Sequence, residues 1–308
     1  MSSNPLVSII MPAFKSESFI ARSVKTVLEQ TYKNWELVII ADDQQNYEKI
    51  LSDQGIKHPS IRHFSTDKTG SGPQFARNIG IDNATGDLIF TLDDDDEFTP
   101  NKLELMAPKA LEYGLCSSDF DRIEYINGTK LDIENYNVLV ESGPVDTRGF
   151  LSINFSANSI IGFDRRKAPV KYPEYIGYIE DLMLSVSCFD YIEKSYHLKD
   201  KLHRWVKRRE SLSNCDAAPK NFISAKEQIL QKIDNNSINI RNKESVQELR
   251  KFIEMSLKCE KIFDQELMKG IKDIDFIDVF ITEISRLYPE KIYEYKGKKF
   301  IRGENGNG

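Results

Sequence analysis

Apolar and polar positions alternate in blocks along the N-terminal third of the chain. Leu6 to Met11 is a largely apolar run that predicts a buried strand stopping at Pro12. From Glu17 to Gln30, Phe19, Ile20, Val24, Val27 and Leu28 fall on one helical face. Trp35 to Ile40 predicts a second strand and Ile61 to Phe64 a third. A loop carrying Gly70, Gly72 and Pro73 then leads to a helix from about Gln74 to Asn83. Leu88 to Leu92 predicts a fourth strand, with Gly86 before it. A helix opens near Thr99 and Pro100, where a first-turn proline loses no hydrogen bond. Such alternation implies a mainly parallel α/β sheet flanked by helices, with ligands beyond the carboxyl ends of its strands.

The pattern loosens after Glu104. CSSDFDRIEYI, from Cys116, reads as a strand and Asn127-Gly128 as a turn, while Asn154 to Phe163 is polar and then apolar. In Tyr175 to Phe189, Glu180 and Asp181 precede a helical set of Leu182, Leu184, Val186 and Phe189. From Ala218 the chain becomes helical, over Phe222 to Ile233, Ser245 to Leu267 and Phe276 to Leu287. The expected organisation is one α/β domain over residues 1–217, divided at about 105. A helical C-terminal region over 218–302 and a disordered tail over 303–308 follow.

Charge and composition remove several function classes. With 42 basic against 48 acidic residues and a net charge of −6, the chain is not built as a nucleic-acid binder. Its four cysteines have neither disulfide-framework nor zinc-site spacing. No apolar run reaches the ~20 residues of a membrane span, and Met-Ser-Ser-Asn-Pro does not resemble a signal peptide. A cytoplasmic protein is expected, with peripheral contact at the inner face of the membrane as a further option.

The chemistry concentrates at strand ends. Asp93, Asp94, Asp95, Asp96 and Glu97 follow the Leu88–Leu92 run, and carboxylates so crowded repel one another unless a cation sits among them. Oxygen ligands suit Mg2+ or Mn2+. A solvated acidic loop is the plain alternative. A calcium loop of the EF-hand kind matches at Asp93, Asp95, Glu97 and Glu104. It fails because Phe98 stands where the turn needs glycine and a strand precedes it. Asp42 and Asp43 end the Trp35 strand, as a second acidic rim or as an ordinary polar turn. His203, Arg204, Lys207, Arg208 and Arg209 form a basic cluster, either an anion clamp or a solvated loop.

The ordered set VSIIMPAFKSESFIARSVKTVLEQTYKNWELVIIADD and GPQFARNIGIDNATGDLIFTLDDDDEFTPNKLE resembles the family 2 glycosyltransferases, inverting hexosyl-transfer enzymes of the GT-A fold. The resemblance covers about residues 5–105. It implies that the backbone of Pro12, Ala13 and Phe14 lies along a nucleotide base, and that Asp43 accepts a hydrogen bond from that base, usually uracil. Arg77 would lie under the nucleotide, with Asn78 beside it. Asp93 would face the ribose, with Asp94 in the same nucleotide-binding loop, and Asp95 would hold the metal, with Asp96 another acid at that position. Gln44, Gln45 and Asn46 stand where the family commonly has Gly-Ser.

Glu180-Asp181 resembles the acidic pair before the acceptor-site helix, with Asp181 the catalytic base. Acids in a first helical turn are also favoured by the helix dipole alone. Lys207, Arg208 and Arg209 would clamp the diphosphate. The implied activity is metal-dependent transfer from a nucleotide-sugar, expected to be a UDP-sugar. The acceptor would be a saccharide or lipid-linked saccharide of a cell-surface polysaccharide or glycolipid. The C-terminal helices would pack on the domain, form a homo-oligomer contact or meet a membrane. Two further readings are a non-catalytic nucleotide-sugar-binding or scaffold relative and a sugar nucleotidylyltransferase, which lacks its N-terminal glycine-rich loop here.

Overall fold

The computed structural model describes residues 4–126, 128–133, 137–153, 160–208, 218–268 and 276–300. The N-terminal half supplies β1 (Val7–Ala13), α1 (Ile20–Leu28), β2 (Trp35–Ala41), α2 (Tyr47–Asp53), β3 (Ile61–Ser65), α3 (Pro73–Asn83) and β4 (Leu88–Thr91). β5 (Glu97–Phe98), α4 (Lys102–Tyr113), β6 (Leu115–Ile126), β7 (Thr129–Ile133), β8 (Asn137–Val138), β9 (Gly143–Val145), α5 (Thr147–Ile153) and β10 (Ile161–Asp164) follow. The chain then runs through α6 (Glu180–Cys188), β11 (Ser195–Val206), α7 (Ala218–Asp234), α8 (Lys243–Met268), α9 (Phe276–Leu287), β12 (Tyr293–Tyr295) and β13 (Lys298–Phe300).

The main sheet runs β3-β2-β1-β4-β10-β6-β11-β5, with β7 on β6 and β9 on β11. Its first four strands are all parallel, in the register Val7 opposite Trp35 and Val7 opposite Leu88. β10 enters antiparallel between β4 and β6, which joins the two halves into one sheet. This is the α/β sheet with helices on its faces that the sequence pattern predicts.

β1 does not stop at Pro12 as the sequence predicts but continues to Ala13. Leu92 N donates to Ile10 O and Asp42 N to Ala13 O, so even positions of β1 face β4 and odd ones face β2. Pairing with β4 has ended by Ile10, so the missing N–H of Pro12 breaks no ladder bond.

One core lies between β1, β2, β4 and the helices α1 and α4, where Ile20, Val24 and Val27 of α1 are buried at helical spacing. A second packs Ile176, Ile179, Met183 and Val186 around α6 against Ile229, Leu249, Phe252, Ile281 and Ile284 of the C-terminal helices. The apolar core therefore runs across the boundary expected at residue 217. β12 and β13 form a hairpin on β8, where the sequence offers only a basic stretch. Among the described residues no helix is long and apolar enough to cross a membrane.

α3 presses against β1 and β2 through Gly80, where a Cβ would lie 2.3 Å from Ile10 Cγ2 and 2.7 Å from Ile40 Cδ1. Gly80→Ala is expected to lower the unfolding free energy by about 1–3 kcal/mol through overpacking. Urea denaturation reads that loss, and an unchanged midpoint would mean that helix and sheet are not in this close contact.

Candidate functional site

Two acidic rims sit at the carboxyl ends of β2 and β4, as parallel topology requires. Asp42 is 5% exposed and structural. Its carboxylate accepts from Ser71 N at 2.9 Å, Gly72 N at 2.9 Å and Thr66 Oγ1 at 2.7 Å, fastening the loop before α3. Asp43 faces the segment after β1. Its Oδ2 accepts from Lys15 N and from Tyr47 Oη at 2.8 Å, and its Oδ1 from Gln45 N at 3.1 Å. Gln44 has φ of 65°, a left-handed conformation that suits the glycine the family commonly carries there. Its side chain holds that turn by donating to Thr66 O at 3.0 Å. The Phe14 ring stands beside this loop and is 42% exposed.

The four consecutive aspartates point to four different partners. Asp93 Oδ1 accepts from Arg77 Nη2 at 2.7 Å, and Asp94 Oδ2 accepts from Phe14 N at 3.0 Å. Asp95 Oδ2 accepts from Arg208 Nε at 2.6 Å. Asp96 is 2% exposed, with Oδ2 2.9 Å from His203 Nε2 and Oδ1 accepting from Val206 N at 2.9 Å. α1 holds the loop backbone from the other side, through Arg22 Nη2 on Asp95 O and Ser23 Oγ on Asp94 O.

Burial, then the neighbouring Asp95 charge, pushes Asp94 well above the usual carboxylate range; burial and Asp93 do the same to Asp96. Asp95 is pushed up to about 7 by burial and Asp96, against the lowering effect of Arg208. Ionising the whole cluster therefore calls for a further cation.

Among the described residues no three His, Cys, Asp or Glu side chains converge on a metal position. That excludes a cage made of described protein ligands alone. Oxygen-only donors of this rim would suit Mg2+ or Mn2+ completed by phosphate oxygens. Half-buried Asp95, already paired with Arg208, is the carboxylate that would hold such an ion. Both oxygens of Asp96 tie the loop to β11, through the His203 ring and the Val206 amide.

The basic cluster also divides. His203 and Arg204 lie within β11, and burial and then Lys102 push the pKa of the His203 ring well below its ordinary value. Lys207 is exposed and its backbone continues the pairing, with N donating to Ile123 O at 2.8 Å. Arg208 is brought to the acidic rim, its guanidinium 3.9 Å from the Phe19 ring centroid. Arg209 lies outside the described residues.

Glu180, at the start of α6, meets the aspartate rim through one side chain. Arg77 is 3% exposed and uses Nη2 on Asp93 and Nη1 on Glu180 Oε1, at 3.0 Å, with the Tyr172 ring 5.3 Å away. It thus lies beneath the rim and acts through carboxylates. Asn78 beside it exchanges two bonds of 2.9 Å with the backbone of Tyr172, an anchoring role that the sequence alone did not suggest. Glu180 is 4% exposed, and its Oε2 has no donor among the described residues. Half-buried Asp181 accepts from Leu182 N through Oδ1 at 2.8 Å. Burial and the Glu180 charge push its carboxyl up to about 7, in the range of a general base.

Removing Arg77 takes away the cation that lies between Asp93 and Glu180. Arg77→Met is expected to cost about 3–5 kcal/mol of stability. Arg77→Lys should recover only part, because an ammonium lacks the planar fork that reaches both carboxylates. Chemical denaturation of the two variants measures this, and equal losses would remove the bridging role.

The model of Glycosyl transferase family 2 matches residues 8–168. A putative colanic acid biosynthesis glycosyl transferase, WcaA of Escherichia coli K12, is 38% identical over 106 residues, 34% of this chain and 38% of its own. The E. coli enzyme named UDP-Glc:alpha-D-GlcNAc-diphosphoundecaprenol beta-1,3-glucosyltransferase WfgD is 35% identical over 130 residues, 41% of this chain and 49% of its own. The matches thus span half or less of these two relatives. S. aureus TarS 1–349 in complex with UDP-GlcNAc shares the fold with a TM-score of 0.62 at 15% identity, over 98% of both chains. With more than half its length matched by the family model and its acidic rims on a GT-A sheet, this chain belongs to glycosyltransferase family 2.

Proposed function

We propose that the protein is a metal-dependent inverting glycosyltransferase. It moves a sugar from a UDP-sugar to a hydroxyl of a saccharide or lipid-linked saccharide, in the building of a cell-surface polysaccharide or glycolipid. The observation that carries the reading is the meeting of Asp93 and Glu180 on Arg77, which sets the rim expected to bind nucleotide beside the expected base. The names of the relatives, a colanic acid transferase and a UDP-Glc-dependent glucosyltransferase, support donor class and pathway class.

In this reading Asp43 receives the base against the backbone of Pro12, Ala13 and Phe14, and Asp93 and Asp94 line the ribose side. The diphosphate lies between Asp95 and Arg208. Mg2+ or Mn2+ bound by Asp95 and diphosphate oxygens would supply electrostatic stabilisation of the leaving group. Asp181 takes the proton from the acceptor hydroxyl as its oxygen attacks the anomeric carbon from the face opposite the diphosphate. A carbon–oxygen bond forms, the bond to phosphate oxygen breaks, and the electron pair leaves on UDP with inversion. Arg208 shifts from Asp95 toward the diphosphate as its negative charge develops.

The base must be ionised, so kcat/KM is expected to fall about tenfold per pH unit below an apparent pKa near that of Asp181. The raised pKa works in the opposite sense on stability: the neutral carboxyl is the form that folding favours, and this contribution fades as pH rises through about 7. Asp181→Asn should lower UDP release from UDP-glucose, UDP-galactose or UDP-N-acetylglucosamine by about 10³-fold or more, with UDP affinity nearly unchanged. Steady-state kinetics with UDP titrations measures both, and retained turnover in Asp181→Asn removes this mechanism.

A further inference from the structure

We propose that the helical C-terminal region sets the catalytic carboxylate in place, with Asn221 and Tyr178 as positioning residues for Asp181. The proposal rests on the reading of Asp181 as the base. Residues 173–179 lead into α6, whose first turn carries Glu180 and Asp181. The residue before α6, Ile179, makes no side-chain cap, so the direction of that turn is inherited from the loop.

The loop is fastened at both ends by an asparagine. At its start, Asn78 of α3 pairs with the Tyr172 backbone in both directions. At its end stands Tyr178, with φ of 69°, a left-handed backbone that a bulky L-residue rarely adopts and keeps only where its surroundings impose it. Those surroundings are on α7. Asn221 Nδ2 donates to Tyr178 Oη at 2.6 Å, and the Phe222 ring meets the Tyr178 ring edge-on at 5.2 Å.

Flanking residues are held from the same side. Lys232 of α7 places Nζ 4.1 Å from the Tyr175 ring centroid, and Ile176 and Ile179 are buried in the core shared with Ile229 and Ile233. Only Ile179 separates Tyr178 from Glu180. Arg77 fixes Glu180 from the donor side, and the Asn221–Tyr178 bond fixes the approach from the acceptor side. α7 thereby controls where the base points.

Asn221→Ala and Tyr178→Phe each delete one half of a single hydrogen bond and keep the packing of the loop. Each is expected to lower kcat for UDP release from a UDP-sugar by about tenfold, with UDP affinity within about twofold of wild type. The double variant should be no slower than either single one, because both act through the same bond. A loss that only follows the folded fraction, or unchanged kcat, would overturn the positioning role, since a bond that merely stabilises the fold would not separate kcat from UDP affinity. Asp181→Asn in the same assay tests the underlying reading by itself: wild-type turnover there removes the base and the proposal with it, whereas an inactive Asp181→Asn beside fully active Asn221→Ala removes the positioning alone.

Discussion

Crowded negative charge at the end of β4 is the constraint on which the rest of the site depends. Four aspartates and a glutamate follow a buried strand, and each is taken up by a different element: Asp93 by α3, Asp94 by the backbone after β1, Asp95 by Arg208, Asp96 by β11, Glu97 by Arg22 and Tyr125. A loop of like charges would splay into solvent if left to itself. Here its charges serve as attachment points, so α1, α3 and β11 are drawn to one rim. Burial first, and neighbouring carboxylates second, push the pKa values of Asp94, Asp95 and Asp96 up, so the ionised rim is costly without further compensation. Incomplete compensation is what a site for a divalent cation and a nucleotide requires, since a fully neutralised rim would have no affinity left to offer.

Arg77 turns the same constraint into a link between the halves of the sheet. Its two terminal nitrogens serve Asp93, beside the parallel strands, and Glu180, at the start of a helix packed on the C-terminal region. A guanidinium can do this because its donors form a planar fork that does not deprotonate. β10 makes the same junction in the backbone, pairing with β4 on one side and β6 on the other. The expected donor and acceptor groups are thus set against each other by one buried side chain and one antiparallel strand.

The donor half was legible in sequence because its elements are local. Apolar runs, helical spacing, turn residues ahead of α3 and acids at strand ends each reside within a few consecutive residues. Four adjacent aspartates look alike in one dimension, and it is His203 and the Val206 amide, more than a hundred positions away, that turn Asp96 inward. The burial of His203 within β11 is equally invisible in one dimension. The pairing of β6 with β11 has no local signal, because their parallel contact joins distant segments with register shifts near Lys201. The role of Asn221 has no local signature at all, since an asparagine near the start of an amphipathic helix acquires meaning only from the tyrosine it meets.

The most direct measurement of the central claim, that the acidic rim is a donor site completed by a cation, is calorimetric titration of UDP with and without Mn2+. It would be run on the wild type and on Asp95→Ala. The account predicts binding to the wild type that weakens by about tenfold or more without Mn2+, and no such metal dependence in Asp95→Ala. UDP binding that is indifferent to both Mn2+ and Asp95, or absent under every condition, would contradict it.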